Sequence, residues 1–196
     1  MTRIILASQS PRRKMLLEWA EIDFEVMSKH TDEIIPEGAS MEDIPIIIAK
    51  EKALAVKHEL TKWAEGREDA SNHLPILAAD TIVVLEDVII GKPQNREEAI
   101  QFLQMLSGKK HKVITGVYIL APHKEMGFSD TTEVEFYPLQ LDQIEYYVDK
   151  YEPYDKAGAY AIQEWIGVVG IKRIDGDFYN VMGLPVSRVL HAVGLL

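Results

Sequence analysis

The chain has 196 residues, 47% of them apolar, no cysteine, and a formal charge of −10. That length suits one α/β domain or two small lobes with a shared cleft, and the missing thiols exclude disulfide scaffolds, thiolate catalysis and cysteine-based zinc sites. The acidic balance argues against a general nucleic-acid binder, which needs an extended basic face; a few local arginines and lysines fit a small anionic ligand better.

Met1-Thr2-Arg3 runs straight into an apolar stretch, and no apolar run approaches membrane-spanning length, so the expectation is a soluble, cytoplasmic protein away from any membrane. Ile4-Ile5-Leu6 reads as a short strand, followed by a polar turn and a helix from about Pro11 to Trp19. Ser10 is a good N-cap, and Pro11 fits the first helical position, where a missing N–H costs nothing. Arg12 and Arg13 do not fit, because free amides already make a helix start positive. An anion at that end relieves the conflict, and a strand–turn–helix start is a ready phosphate site. The alternative is a solvated basic turn paired with surface carboxylates.

Phe24–Met27 alternates as a short strand and leads into the polar loop Ser28–Glu33. Ser40 caps a long helix from about Met41 to Trp63, with Ile44, Ile47, Ile48 and Ala55 at helical spacing and Pro45 early enough to be tolerated. From spacing alone Lys52 reads as a snorkelling surface lysine. Glu65–His73 is a polar connection. Pro75–Leu85 is almost wholly apolar and β-prone, yet carries Asp80-Thr81 in its middle. An acid in a buried strand must be paired, protonated or metal-bound, unless it lies at a strand end and caps a helix. Glu86-Asp87 turns a hairpin into Val88–Ile90, and Gly91-Lys92-Pro93 is a rigid exit presenting a lysine.

Asn95 and Glu98 have the spacing of a capping box over a helix whose stripe is Ala99, Phe102, Leu103 and Leu106, ended by Ser107-Gly108. Lys112–Leu120 reads as a strand in which Thr115-Gly116 allows close backbone approach, and Thr131–Tyr137 pairs with it antiparallel. A helix over Leu141–Lys150, a charged loop feeding a small-residue strand at Ala157–Ile162, a strand at Val168–Ile174, a turn at Asp175-Gly176-Asp177 and a helix from Pro185 to Val193 complete the chain. The expectation is an α/β fold with a mixed, twisted sheet and flanking helices.

Taken in order, Leu6-Ala7-Ser8-x-Ser10-Pro11-Arg12-Arg13, Glu51-Lys52-Ala53, Ala79-Asp80-Thr81, Gly91-Lys92-Pro93, Leu106-Ser107-Gly108, Asp155-Lys156-Ala157-Gly158-Ala159-Tyr160-x-Ile162-Gln163 and Tyr179-Asn180-Val181-x-Gly183-Leu184-Pro185 resemble the Maf family of nucleoside triphosphate pyrophosphatases. The resemblance spans nearly the whole chain. It implies a single Maf/ITPase-like domain with two lobes around a long cleft, a divalent metal (Mg²⁺ or Mn²⁺), and hydrolysis between the α- and β-phosphates to a nucleoside monophosphate and pyrophosphate. The Ala159-Tyr160-x-Ile162-Gln163 segment resembles the dTTP/UTP branch, whose substrates extend to modified pyrimidine nucleotides. A homodimer is implied by the resemblance alone. Two departures stand out: Gln9 where glycine is common, and Glu164-Trp165 after Gln163, where a glycine is usual.

The resemblance assigns Arg12, Arg13, Lys52 and Lys92 as phosphate cations, with Ser8 donating from the first turn. Glu33 and Asp80 become metal ligands, Asp80 the proton acceptor, and Thr81 and Gln163 selectivity positions. Charge spreading over phosphoryl oxygens calls for such cations, a metal and an oriented water. The competing reading is a regulator of septum formation that binds nucleotide with little turnover; the intact Arg13, Lys52, Asp80 and Lys92 set argues against it. Gln163 has its own structural alternative, a satisfied strand amide.

Overall fold

The computed structural model describes residues 3–32, 34–63 and 74–194. Among these lie strands β1 (Ile4–Leu6), β2 (Phe24–Val26), β3 (Ile76–Leu85), β4 (Val88–Ile90), β5 (Lys110–Ala121), β6 (Lys124–Phe136) and β7 (Ile171–Asp175). The helices are α1 (Pro11–Trp19), α2 (Asp43–Trp63), α3 (Arg96–Leu106), α4 (Leu141–Tyr151), α5 (Trp165–Gly170), α6 (Phe178–Val181) and α7 (Val186–Ala192). One seven-stranded sheet runs in the order β2-β1-β3-β5-β6-β7, with β4 pairing β3. It is mixed, as expected: β1 is parallel to β2 and β3, whereas the β3–β4 and β6–β7 pairs are antiparallel. Strands β5 and β6 are neighbours joined by Pro122-His123 alone, a link too short for anything but an antiparallel hairpin.

Packing divides the chain into two units. The first comprises Met1–Asp80, Thr115–Asp130 and Gly183–Leu196; the second comprises Thr81–Ile114 and Thr131–Met182. Strands β3, β5 and β6 each pass from one unit into the other.

In the first unit α2 lays Ala49, Ala53 and Val56 on Ile5, Ala7, Ile76, Ala78, Tyr118 and Leu120. The alanines let helix and sheet come close. Closer still, a Cβ added at Gly116 would stand 2.2 Å from the Ile46 nitrogen, so the expected close backbone approach is at the start of α2. Helix α2 begins two residues later than the sequence reading, since the Ser40 hydroxyl receives the Asp43 N–H at 3.1 Å and Met41-Glu42 form a turn. No described helix is long and apolar enough to cross a membrane.

In the second unit α3 packs on α4 and on a 3-10 turn at Ala157–Ala159. Asn95 caps α3 by accepting the Glu98 N–H at 2.9 Å, but Glu98 reaches back to the Gln94 N–H at 2.6 Å instead of closing the box on Asn95. Ala157–Ile162 is not a strand. Gly158 and Ala159 have φ of +70° and +58°, left-handed values that turn the chain out of any extended path. The strand expected at Val168–Ile174 begins only at Ile171, because Trp165–Gly170 is helical. A Cβ at Gly167 would lie 1.8 Å from the Ile162 carbonyl oxygen, so only glycine permits this close approach of the helix to the turn before it. The sequence reading also missed α6, capped by Asp177 accepting the Tyr179 N–H at 2.7 Å, and started β6 seven residues late, at Thr131 instead of Lys124.

Candidate active site

The first unit builds its polar centre on two adjacent parallel strands. Ile5 and Leu6 of β1 lie opposite Ile76 and Leu77 of β3, and the Ala7 N–H donates to the Leu77 carbonyl at 2.8 Å. Beyond Ala7 the chain turns into α1, while β3 continues to Asp80. Ser8 closes that turn: its hydroxyl accepts the Ser10 N–H at 3.2 Å and Arg13 Nη1–H at 3.1 Å. Ser10 caps α1 as its sequence position requires, accepting the Arg13 N–H at 3.4 Å. Arg12 is half-buried on the same turn.

Arg13 is not a solvated residue. It is buried, and its Nε–H donates to the Gly183 carbonyl at 2.7 Å as well as holding Ser8. Two of its N–H groups therefore tie the β1–α1 turn to the segment that opens α7. This makes the β1–α1 turn stiff, a role the sequence alone did not disclose.

Asp80 follows from strand alternation. Ile76 and Ala78 face α2, so Asp80, two residues on, faces it too. Lys52 adjoins Ala53 on the packed face of α2, and its Nζ lies 2.6 Å from Asp80 Oδ1, with the side chains 19% and 12% exposed. Of the states open to a buried strand acid, Asp80 is in the paired one. Asp80 is mid-strand, not a helix cap, and Lys52 is not a snorkelling surface residue.

The second unit carries Thr81, Lys92 and Gln163. Thr81 is half-buried and follows Asp80 directly; Lys92 is exposed. The Lys92 loop is anchored by Gly91, whose carbonyl accepts the Gly158 N–H at 3.0 Å. Gln163 sits in the turn before α5, and its Oε1 is buried with no hydrogen-bond partner among the described residues. The alternative of a satisfied strand amide is thus excluded on both counts. Around it lies a grouping for which sequence reasoning assigned no roles. Tyr147 Oη donates to Glu164 and accepts the Ala161 N–H at 3.1 Å. Lys156, also buried, pairs with Asp155 at 2.8 Å and Glu164 at 3.6 Å. The available signal was a lysine inside a run of small residues. Glu33 lies outside the described residues.

Among the described residues, no three histidine, aspartate or glutamate side chains cluster as a metal cage. Asp80 offers a single carboxylate. That donor set fits an ion such as Mg²⁺, which takes one or two carboxylates and completes its shell with substrate phosphates and water.

Comparison with known proteins bears on this geometry. The family model described as Maf-like protein matches residues 3–195. The chain is 50% identical over 96% of its length to a Cytophaga hutchinsonii protein named dTTP/UTP pyrophosphatase, covering 82% of it. Proteins of the same name from Parabacteroides distasonis and Porphyromonas gingivalis are 48% and 45% identical, over 95% and 96% of this chain and 92% of each relative. Among solved structures, the Staphylococcus aureus Ham1 protein aligns at TM-score 0.42 and 15% identity over 69% of this chain and 72% of that one, a likeness too weak to carry an argument.

Proposed function

The chain belongs to the Maf-like family, and on that premise we propose that it hydrolyses dTTP and UTP between the α- and β-phosphates, releasing the nucleoside monophosphate and pyrophosphate. The observation that carries the reading is the shielded Lys52–Asp80 pair on the strand beside the Ser8–Arg13 turn. It supplies both things a phosphoanhydride hydrolysis needs: a carboxylate able to take a proton from water, and a fixed cation for the charge that develops on phosphoryl oxygens.

In this reading the triphosphate lies against the start of α1, where Arg12, the backbone amides and the positive helix end attract it. Arg13 holds that turn in shape through Ser8 and Gly183 and contributes its charge. Lys52 orients Asp80 and adds a cation; Lys92 provides another. Water forms a new P–O bond, its proton goes to Asp80, and the bridging P–O bond breaks so that pyrophosphate leaves with the electron pair. A divalent ion held by Asp80 and Glu33 would add Lewis-acid stabilisation of the phosphoryl oxygens. Thr81 and Gln163 select the base.

The test is product chromatography after incubation with dTTP or UTP and Mg²⁺ or Mn²⁺. The expected products are dTMP or UMP with one pyrophosphate per turnover. Formation of dTDP and orthophosphate would overturn the bond assignment, and nucleotide binding without turnover would favour the regulatory reading.

A further inference from the structure

Ala161 to Glu164 form a tight turn closed by the Glu164 N–H donating to the Ala161 carbonyl at 3.1 Å, which places Gln163 at its corner. A single hydroxyl closes the same turn from outside: Tyr147 Oη accepts the Ala161 N–H and donates to the Glu164 carboxylate. Tyr147 cannot swing away, being fully buried and stacked on Tyr151 at 5.0 Å. Its neighbour Tyr146 packs edge-on against Trp165 at 4.9 Å, so consecutive residues of α4 hold the end of the turn and the first residue of α5. Lys156, buried beneath, balances the Glu164 charge. Gln163 Oε1, at the corner, is buried and has no hydrogen-bond partner among the described residues.

Such an arrangement holds the turn in one shape and leaves the Gln163 acceptor for a donor that none of the described residues supplies. We propose that Glu164 is a positioning residue. With Tyr147 and Lys156 it clamps the turn so that the Gln163 amide is preorganised for a base edge whose ring N3–H is flanked by carbonyls, the pattern of uracil and thymine; cytosine has an unprotonated N3 acceptor in that place. The inference deepens the dTTP/UTP reading and rests on it. It assigns a purpose to the Glu164-Trp165 departure from the usual glycine: the carboxylate is the clamp's outer jaw.

Binding of the non-hydrolysable α,β-imido analogues of dTTP and CTP, measured by calorimetry, tests it in three proteins. The wild type prefers the thymidine analogue. Tyr147→Phe keeps the ring but loses the hydroxyl, and the preference falls about tenfold, the worth of one hydrogen bond. Glu164→Gln keeps an acceptor for Tyr147 but not the charge facing Lys156, and the preference falls less. In turnover of dTTP the loss appears in KM with kcat held within about twofold, as removal of uniform binding requires. If Tyr147→Phe does not fold, Glu164→Gln decides.

Equal weakening of both analogues in a folded variant would reduce the trio to ordinary packing and overturn the proposal. So would an unaltered preference, or a wild type that binds both analogues alike. A wild type that prefers the thymidine analogue, loses that preference in the variants and yet releases no pyrophosphate from dTTP would overturn the pyrophosphatase reading while supporting the clamp.

Discussion

Lys52 Nζ and Asp80 Oδ1 stand 2.6 Å apart, joining the middle of the longest described helix to the middle of a buried strand. The pair is separated by 28 positions in sequence and set by two alternations: Asp80 continues the Ile76, Ala78 face, and Lys52 adjoins the Ala49, Ala53, Val56 face that meets it. An ammonium so placed holds the carboxylate in one orientation and loses its own compensation if that carboxylate is removed.

Asp80→Asn therefore has two separable effects. Turnover of dTTP falls about 10²–10⁴-fold, the usual cost of losing a general base. Stability falls by about 1–2 kcal/mol, less than for a fully buried pair because Lys52 keeps some access to water. Urea melts and steady-state kinetics on one preparation distinguish the two. Near-normal turnover in folded Asp80→Asn would remove Asp80 from the mechanism.

Arg13→Lys is expected not to rescue function. The guanidinium uses Nε–H and Nη1–H on two acceptors in different directions, Gly183 O and Ser8 Oγ. A lysine ammonium keeps the charge but lacks the planar fork that spans both. The variant loses about 1–2 kcal/mol of stability, the worth of one or two buried hydrogen bonds, and kcat/KM for dTTP falls with it. Wild-type kinetics and melting in Arg13→Lys would mean that the residue serves as a point charge only.

Much of this was legible in the sequence. The bounds of β1 and α1, the Ser10 cap and the Glu86-Asp87 hairpin each rest on residues within a few positions, where propensity and turn chemistry act, and the close approach at Gly116 was legible from the glycine though not its partner Ile46. The Arg13–Gly183 bond spans 170 positions and left no local trace. The 157–170 region misled for a related reason: small and β-branched residues read as strand, but left-handed Gly158 and Ala159 turn the chain, and Gly167 admits a close approach to Ile162 that a side chain would block. The same bends create the corner on which Gln163 sits. The candidate residues were therefore easier to name than the arrangement that holds them.

Acid should expose His111. It is 2% exposed, stacks on Phe136 at 5.6 Å and shares a 2.7 Å hydrogen bond with Tyr160 Oη. Burial disfavours its charged form and lowers its pKa from 6.5 to about 4. Above pH 6.5 the ring is neutral in both folded and unfolded chains and has no effect on the balance. As pH falls from 6.5 towards 4 only the unfolded chain gains the proton, so stability declines, by about 3 kcal/mol at most. Denaturant melts at pH 7 and pH 4.5 should show a larger loss for the wild type than for His111→Phe, which has no proton to gain. An equal loss in the two would mean that His111 is protonated without cost.

The proposed base selection is testable at Gln163. Its carbonyl oxygen is buried and has no partner among the described residues, and its turn is held by Tyr147 from both ends. An amide offers a donor and an acceptor, and the uracil or thymine edge presents acceptor–donor–acceptor, so one amide complements a base carbonyl and N3–H together. The cytosine edge reverses part of that pattern and leaves buried groups unpaired, at about 1–3 kcal/mol each. Gln163→Glu replaces the donor with a second acceptor, so the variant keeps a partner for N3–H but repels the base carbonyl. The expected result is a fall of about tenfold or more in kcat/KM for dTTP and UTP relative to CTP and GTP, with all four substrates measured in wild type and variant. Because Asp80, Lys52 and the α1 turn are untouched, kcat should change less than KM. An unchanged ratio among the four substrates would place selection elsewhere, with Thr81 and Trp165 the next residues to test.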